Sequence, residues 1–285
     1  MTKKLLALFG LKWNPFSPDV PADALLVAPR IDSFCWRVEN LVREGGFALV
    51  TGVPGIGKSV GLRLLVERLG TMREIKIGVM VRPHTSVADF YRELGDLFSV
   101  QLSPHNRWAG AKVLRERWQV HIDSSLVRPV LVVDEAQDMS TAVLNELRHL
   151  SSARFDSHLL LTTILAGDSR LVEKFRSDEL LPLASRMRVK LHLDRATPDE
   201  LAQCLHHAMT KAGATKLMTP ELVATLCEHA AGNYRTLMTM ASELLAAGAE
   251  REVKQLDEKL FFDLYTPAKT EPAAQLASAA QGKRR

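Results

Sequence analysis

The chain has 285 residues, 46% of them hydrophobic and 25% charged, enough for one sizeable core with a small appended domain. No apolar run approaches the ~18–20 residues of a membrane-spanning helix, and the dispersed Cys35, Cys204 and Cys227 form no C-x-x-C pair, which points to reduced thiols in a cytoplasmic protein. A formal net charge of +4 permits contact with nucleic acid without requiring it.

Residues 1–29 read as an N-terminal arm. Lys3-Lys4 and the apolar residues 5–9 begin like a signal peptide, but Gly10 to Pro15 interrupts the segment before a cleavage site forms. Trp13, Pro15 and Phe16 are expected to pack on the core or on a neighbouring subunit. From residue 30 to 195, five apolar runs alternate with helical patterns, which predicts an α/β core with a parallel five-stranded sheet. The runs are 47–51, 75–81, 130–134, 159–166 and 189–193. Between the third and fourth, Val143, Leu144, Leu147 and Leu150 recur at helical spacing. Residues 196–264 then read as an all-helical lid. Thr197-Pro198-Asp199-Glu200 is a capping box with proline in the first turn, and Thr219-Pro220-Glu221 opens a second helix. Two more helices are predicted at 234–247 and 256–264. A tail over 265–285, rich in Ala, Gln and Pro and ending in Lys283-Arg284-Arg285, is expected to be disordered.

Two motifs carry chemistry. Gly52-Val53-Pro54-Gly55-Ile56-Gly57-Lys58-Ser59 fits G-x-x-x-x-G-K-[ST] and sits between a predicted strand and a predicted helix, the context that a P-loop needs. The loop residues Gly52, Pro54, Gly55, Ile56 and Gly57 would close around phosphate oxygens through the backbone N–H groups that all but Pro54 carry, with Val60 in the first turn of the following helix. Lys58 would reach the terminal phosphates, and the Ser59 hydroxyl would bind Mg²⁺. The second motif is the apolar run 130–133 ending in Asp134-Glu135. At the C-terminal end of a buried parallel strand, Asp134 would hold Mg²⁺ through water and Glu135 would polarise the attacking water. A small-molecule kinase needs no such glutamate. The expected activity is therefore Mg²⁺-dependent ATP hydrolysis.

These pieces together resemble an AAA+ ATPase of the P-loop NTPase fold, and the ExeA-like branch in particular. Phe9-Gly10-Leu11 with Asn14-Pro15-Phe16 is similar to that branch's FGL…PF opening. Asp134-Glu135-Ala136-Gln137-Asp138-Met139-Ser140 followed by Glu146-Leu147-Arg148 resembles its DEAQ-x-L-S…ELR stretch. Leu165-Ala166-Gly167-Asp168 with Leu171 and Gly232-Asn233-Tyr234-Arg235 resemble two further segments, so that the likeness runs from about residue 8 to 245. The branch includes secretion-associated proteins and TniB/TnsC-type transposon ATPases. The secretion type adds a membrane segment and a cell-wall-binding domain that this sequence lacks. The resemblance thus implies a transposition helper, which assembles with ATP on duplex DNA as a ring or helical filament and recruits or activates a transposase. The alternative is a secretion-associated ATPase acting without DNA.

The resemblance also implies residue roles. Arg235 takes the position of the lid arginine that reaches the phosphates. Arg186 takes that of the arginine finger acting on a neighbour's ATP, with Arg188 as its competitor. The polar sensor at the end of the fourth strand falls to Asp168 or to Thr163, since no asparagine is present. That departure keeps open a scaffold that binds ATP and hardly hydrolyses it. For DNA, a helper that grips backbone phosphates needs spaced cations, and Arg82, His84, Arg107 and Lys112 are the candidates. The competing reading makes Trp108 and Trp118 core anchors and the cations between them a solvated helix face.

Overall fold

The computed structural model describes residues 3–81, 83, 86–101, 107–153 and 158–265. In chain order the elements are α1 (Lys3–Phe9), α2 (Pro29–Glu44), β1 (Gly46–Gly52), α3 (Lys58–Gly70), β2 (Ile75–Met80), α4 (Val87–Phe98), α5 (Arg107–Ser125) and β3 (Arg128–Val133). There follow α6 (Thr141–Ser151), β4 (Ser152–Ala153), β5 (His158–Leu159), β6 (Thr162–Gly167), α7 (Ser169–Lys174), α8 (Leu181–Ala184) and β7 (Met187–Leu193). The chain closes with α9 (Pro198–Ala212), α10 (Pro220–Ala230), α11 (Tyr234–Glu250) and α12 (Glu258–Tyr265).

Five strands pair in parallel in the order β2-β3-β6-β1-β7. The three central strands β3, β6 and β1 lie inside near-continuous buried sequence because helices cover both faces of the sheet. The pleat divides those residues between two cores. Phe47, Leu49, Leu131, Val133 and Leu165 face the cluster formed with α4, α5 and α6. Ala48, Val50, Val130, Val132, Ile164 and Ala166 face α2 and α3. Edge strand β7 alternates instead, with Met187, Val189 and Leu191 buried and Arg188, Lys190 and His192 exposed. Its charges, and the Arg37 guanidinium bonded to the Lys190 carbonyl at 3.0 Å, blunt an otherwise open edge.

The apolar run 159–166 does not form one strand. Leu159 pairs antiparallel with Ser152 in a two-residue ladder, and β6 begins only at Thr162. Between them Leu160 donates its N–H to the Ser151 carbonyl at 2.8 Å, so the chain is tied to the end of α6 before it enters the sheet. Leu160 and Leu161 are nevertheless buried, which is why the run reads as continuous.

The helical C-terminal part builds its own core from Leu201, Leu205, Met209, Leu222, Leu226, Leu244 and Leu245. The capping box forms: Glu200 N donates to Thr197 Oγ1 at 3.2 Å, and Thr197 N to Glu200 Oε2 at 2.8 Å. Residues from the N-terminal segment complete this core, with Leu5, Phe9, Leu11 and Phe16 buried in it. Lys12 N reaches the Ala212 carbonyl at 2.9 Å. Arg63 of α3 then holds the Pro18 and Val20 carbonyls, so the segment straps the helical part to the α/β core. No helix among the described residues is long and apolar enough to cross a membrane. Residues 266–285 of the expected tail lie outside the described residues.

Trp118 is 1% exposed and stacks edge-to-face on Phe98 with ring centroids 5.3 Å apart, whereas Trp36 is 61% exposed. Trp118→Ala is expected to lower unfolding free energy by about 3–5 kcal/mol. Trp36→Ala should stay within about 0.5 kcal/mol of wild type. Urea denaturation followed by circular dichroism measures both, and equal losses would contradict the packing.

Candidate nucleotide site

β1 ends at Gly52, a position where no larger residue fits. A Cβ there would lie 2.2 Å from Ile56 Cδ1 and 2.6 Å from the Leu193 carbonyl oxygen. The chain then turns through Gly55 at φ 85° and Gly57 at φ 97°, both left-handed conformations that favour glycine. Gly57 is the N-cap of α3 and offers no side chain to its first turn, so the first N–H groups of that helix carry no side-chain cap. Lys58 is 5% exposed, and its Nζ donates to the Gly52 and Val53 carbonyls at 2.9 and 3.2 Å. Ile56 is buried, while Pro54, Ser59 and Val60 are exposed around the loop.

The helical part closes directly on this loop. Asn233 Nδ2 donates to the Pro54 carbonyl at 3.0 Å, and Arg235 N donates to the Gly55 carbonyl at 3.0 Å. A Cβ on Gly55 would meet Asn233 Oδ1 at 2.3 Å. The same Oδ1 caps α11 through Thr236 N at 3.2 Å. The Arg235 side chain is exposed beside the loop. Four consecutive carbonyls, from Gly52 to Gly55, are thus held by donors: two by Lys58 and two by the start of α11.

β3 delivers the two acids to the same edge of the sheet. Asp134 and Glu135 are half-buried, and Asp134 Oδ1 accepts the Glu135 N–H at 2.9 Å. Glu135 adopts φ 52°, ψ 39°, a left-handed conformation unusual for a side-chain-bearing residue. Gln137 Nε2 donates to Glu135 Oε2, and Gln137 Oε1 accepts the Asp168 N–H at 3.2 Å. Gln137 itself is 3% exposed.

Asp168 sits at the end of β6, where its carboxylate caps α7 and accepts from Arg170 N at 2.9 Å and from Arg170 Nε. Burial works against its charge, but the Arg170 bonds and the positive charge of Lys58 outweigh burial and hold its pKa below the ordinary 3.8. That Lys58 is felt at Asp168 ties the β6 end to the glycine loop. Thr163 lies four residues before Gly167, roughly 13 Å back along the strand at ~3.3 Å per residue, and is buried inside the sheet.

Other candidates lie apart. Arg186 donates Nη1 to the Pro182 carbonyl at 2.6 Å, and Arg188 Nη2 pairs with Glu44 Oε2 at 2.8 Å. Both flank Met187, which is paired with Phe47 at the start of β1. In a parallel sheet this is the edge opposite Gly52, roughly 17 Å away along β1. Lys112 is exposed on α5 and lies 3.8 Å from Glu116 Oε1. Arg107 opens α5. Arg82 and His84 lie outside the described residues.

Sequence reasoning singled out neither Gln137, Asn233 nor Arg170. Gln137 and Asn233 stand inside the quoted D-E-A-Q and G-N-Y-R stretches, so the signal was present. What the sequence does not give is the partner of each amide.

Residues 42–175 match the family model described as AAA domain. General secretion pathway protein A of Aeromonas hydrophila is 28% identical over 248 residues, covering 85% of this chain and 44% of that protein. The chain therefore spans less than half the length of this curated relative. Among solved structures, the ORC2 protein of Aeropyrum pernix in ADPNP–ADP complexes superposes with a TM-score of 0.69 at 13% identity, over 88% of this chain and 70% of that one. Drosophila ORC bound to DNA gives 0.66 at 16% identity, over 92% and 65%. The fold is accordingly the P-loop AAA+ fold, a parallel five-stranded sheet with a helical C-terminal part. The family match over residues 42–175 and the fold support NTPase activity.

Two outcomes follow from the contacts. Gly55→Ala drives a methyl into Asn233 and strains a left-handed residue, and should weaken nucleotide affinity about tenfold or more in a fluorescent-nucleotide titration. Unchanged affinity would mean that the α11 contact is not used in binding. Asp168→Asn should cost about 1 kcal/mol of unfolding free energy at neutral pH, given the exposed Arg170 partner. Because the folded pKa is depressed, this difference is full above the ordinary 3.8 and fades as pH falls through the folded value. Urea unfolding across that range checks it, and a difference that persists unchanged at lower pH would contradict the assignment.

Proposed function

We propose that this chain is an ATP-dependent switch that assembles on duplex DNA, as a ring or helical filament, and there recruits or activates a transposase. The observation that carries the ATPase part is the meeting of Lys58, the Asp134-Glu135 pair and the start of α11 at one edge of the sheet. Loop N–H groups and the uncapped first turn of α3 bind the phosphates of ATP, with Lys58 on the terminal ones. Arg235 adds its guanidinium from the helical side. Ser59 and Asp134 supply the hard oxygen donors that Mg²⁺ prefers, Asp134 having committed only Oδ1 to Glu135 N. When bound, Mg²⁺ neutralises charge on the phosphates. Glu135 orients a water for in-line attack on the terminal phosphorus and accepts its proton. Asp168, tied to Arg170, fixes the neighbouring turn.

The assembly part rests on reach. In the proposed assembly Arg186, which stands at the sheet edge remote from its own loop, serves the nucleotide of a neighbouring copy, with Arg188 as the competing residue. Support for DNA comes from the motif resemblance and from the likeness in fold to Drosophila ORC bound to DNA. Arg82, His84, Arg107 and Lys112 are the proposed phosphate contacts. The transposase rests on the motif resemblance alone. A second reading, a secretion-associated ATPase acting without DNA, is favoured by the relative at 28% identity.

The test is sedimentation and electron microscopy of the protein with duplex DNA, comparing no nucleotide, ADP and a slowly hydrolysed ATP analogue. Ordered assemblies that need both DNA and the analogue support the first reading, and assembly indifferent to DNA favours the second. Lys58→Ala should abolish ATP binding. Glu135→Gln should keep binding, lower kcat by about 10²–10⁴-fold and prolong the assembled state. Wild-type turnover in both variants would overturn the site.

A further inference from the structure

We infer that Gln137 is the positioning residue for the hydrolytic carboxylate, holding Glu135 in place and tying it to the end of β6. This rests on the reading of Glu135 as the group that takes a proton from the attacking water. The side chain is 3% exposed and uses both ends of its amide: Nε2 donates to Glu135 Oε2, and Oε1 accepts the Asp168 N–H at 3.2 Å. An amide is the group for this task, since it donates at one end and accepts at the other. A carboxylate would repel Glu135, and an aliphatic chain would leave the Asp168 N–H without an acceptor.

The surroundings leave Gln137 no other place. A Cβ on Gly167 would fall 2.7 Å from its Oε1, so glycine at the end of β6 makes room for the amide. Lys174 Nζ donates to the Gln137 and Met139 carbonyls at 2.6 and 2.7 Å and fixes the turn that carries the side chain. Arg170 bridges Asp168 to Asp138 on the same turn, the latter at 3.5 Å. Glu135 meanwhile occupies a left-handed conformation, and its carboxylate lies within reach of the Gln137 donor. A shift of the β6–α7 turn therefore moves Glu135 through one buried amide. The length of Gln is what spans the gap between the two.

The test is steady-state ATP turnover by the full chain with DNA and Mg²⁺, paired with equilibrium binding of a slowly hydrolysed ATP analogue. Gln137→Met keeps a similar length and removes both hydrogen bonds. It should lower kcat about 10- to 100-fold and leave the dissociation constant of the analogue within about twofold. Gln137→Glu keeps an acceptor for the Asp168 N–H but sets a carboxylate against Glu135, and it should lose at least as much. It also carries the test alone if the methionine variant fails to fold. In the Glu135→Gln background, Gln137→Met should change the residual kcat less than about twofold, because residues acting as one unit are not additive. Full turnover in Gln137→Met, a loss that repeats undiminished in the Glu135→Gln background, or a parallel loss of nucleotide affinity would each overturn the inference. If Glu135→Gln itself turns over like wild type, the hydrolytic reading falls and takes this inference with it. If Glu135→Gln is impaired and Gln137→Met is not, only the inference falls.

Discussion

The direction in which four carbonyls point governs this molecule. Lys58 Nζ holds those of Gly52 and Val53, Asn233 Nδ2 holds that of Pro54, and Arg235 N holds that of Gly55. Once those carbonyls are committed to one side, the N–H groups that the same peptides carry, those of Val53, Gly55 and Ile56, are turned away from it, Pro54 having none. A concave run of N–H groups is an anion site by construction. The lysine and the helical part are therefore structural parts of the loop as well as its neighbours. Gly55 is the residue through which this works, because a side chain there would exclude Asn233.

The consequence spreads outward through packing. α11 can meet the loop only if the helical part is held against the core, and the N-terminal segment does this from two directions. Leu5, Phe9, Leu11 and Phe16 are buried in the helical core, while Arg63 fixes the stretch at Pro18 and Val20. Gly232 adds a second hinge contact, its carbonyl accepting from Ala196 N at 3.0 Å. A displacement of the helical part must break the bonds to Pro54 and Gly55, which links the conformation of the loop to that of the whole C-terminal region.

Legibility in the sequence followed the range of each interaction. The glycine loop and the acids after β3 are local patterns, read directly from spacing. The sheet was legible because its central strands β1, β3 and β6 are buried on both faces and so run nearly continuously apolar. That same property blurred the run 159–166, where Leu160 and Leu161 are buried without joining β6. The N-terminal segment showed apolar residues but not their partner, since packing against residues some 200 positions away leaves no periodic trace. Gln137 and Asn233 lay in view within their motifs. Their function was hidden because an amide's role is set by what stands at both of its ends, and those groups come from β6 and from the loop. Trp118 was open to two readings, and its burial against Phe98 makes it a core anchor.

The separation of charges along the sheet bears on the proposed assembly. Parallel strands put every C-terminus at one edge, so the loop, Glu135 and Asp168 converge there. The same rule sends residues at the start of β7 to the other edge. Arg186 and Arg188 are thereby denied access to their own loop by the length of β1, and no rotamer recovers that distance. At the near edge Arg170 spends its guanidinium on Asp168 and Asp138. Lys58 and Arg235 are the cations proposed for the nucleotide of the same copy. On the proposed reading of Arg186 as a finger, further positive charge for a transition state would come from a neighbouring copy, and turnover would depend on assembly.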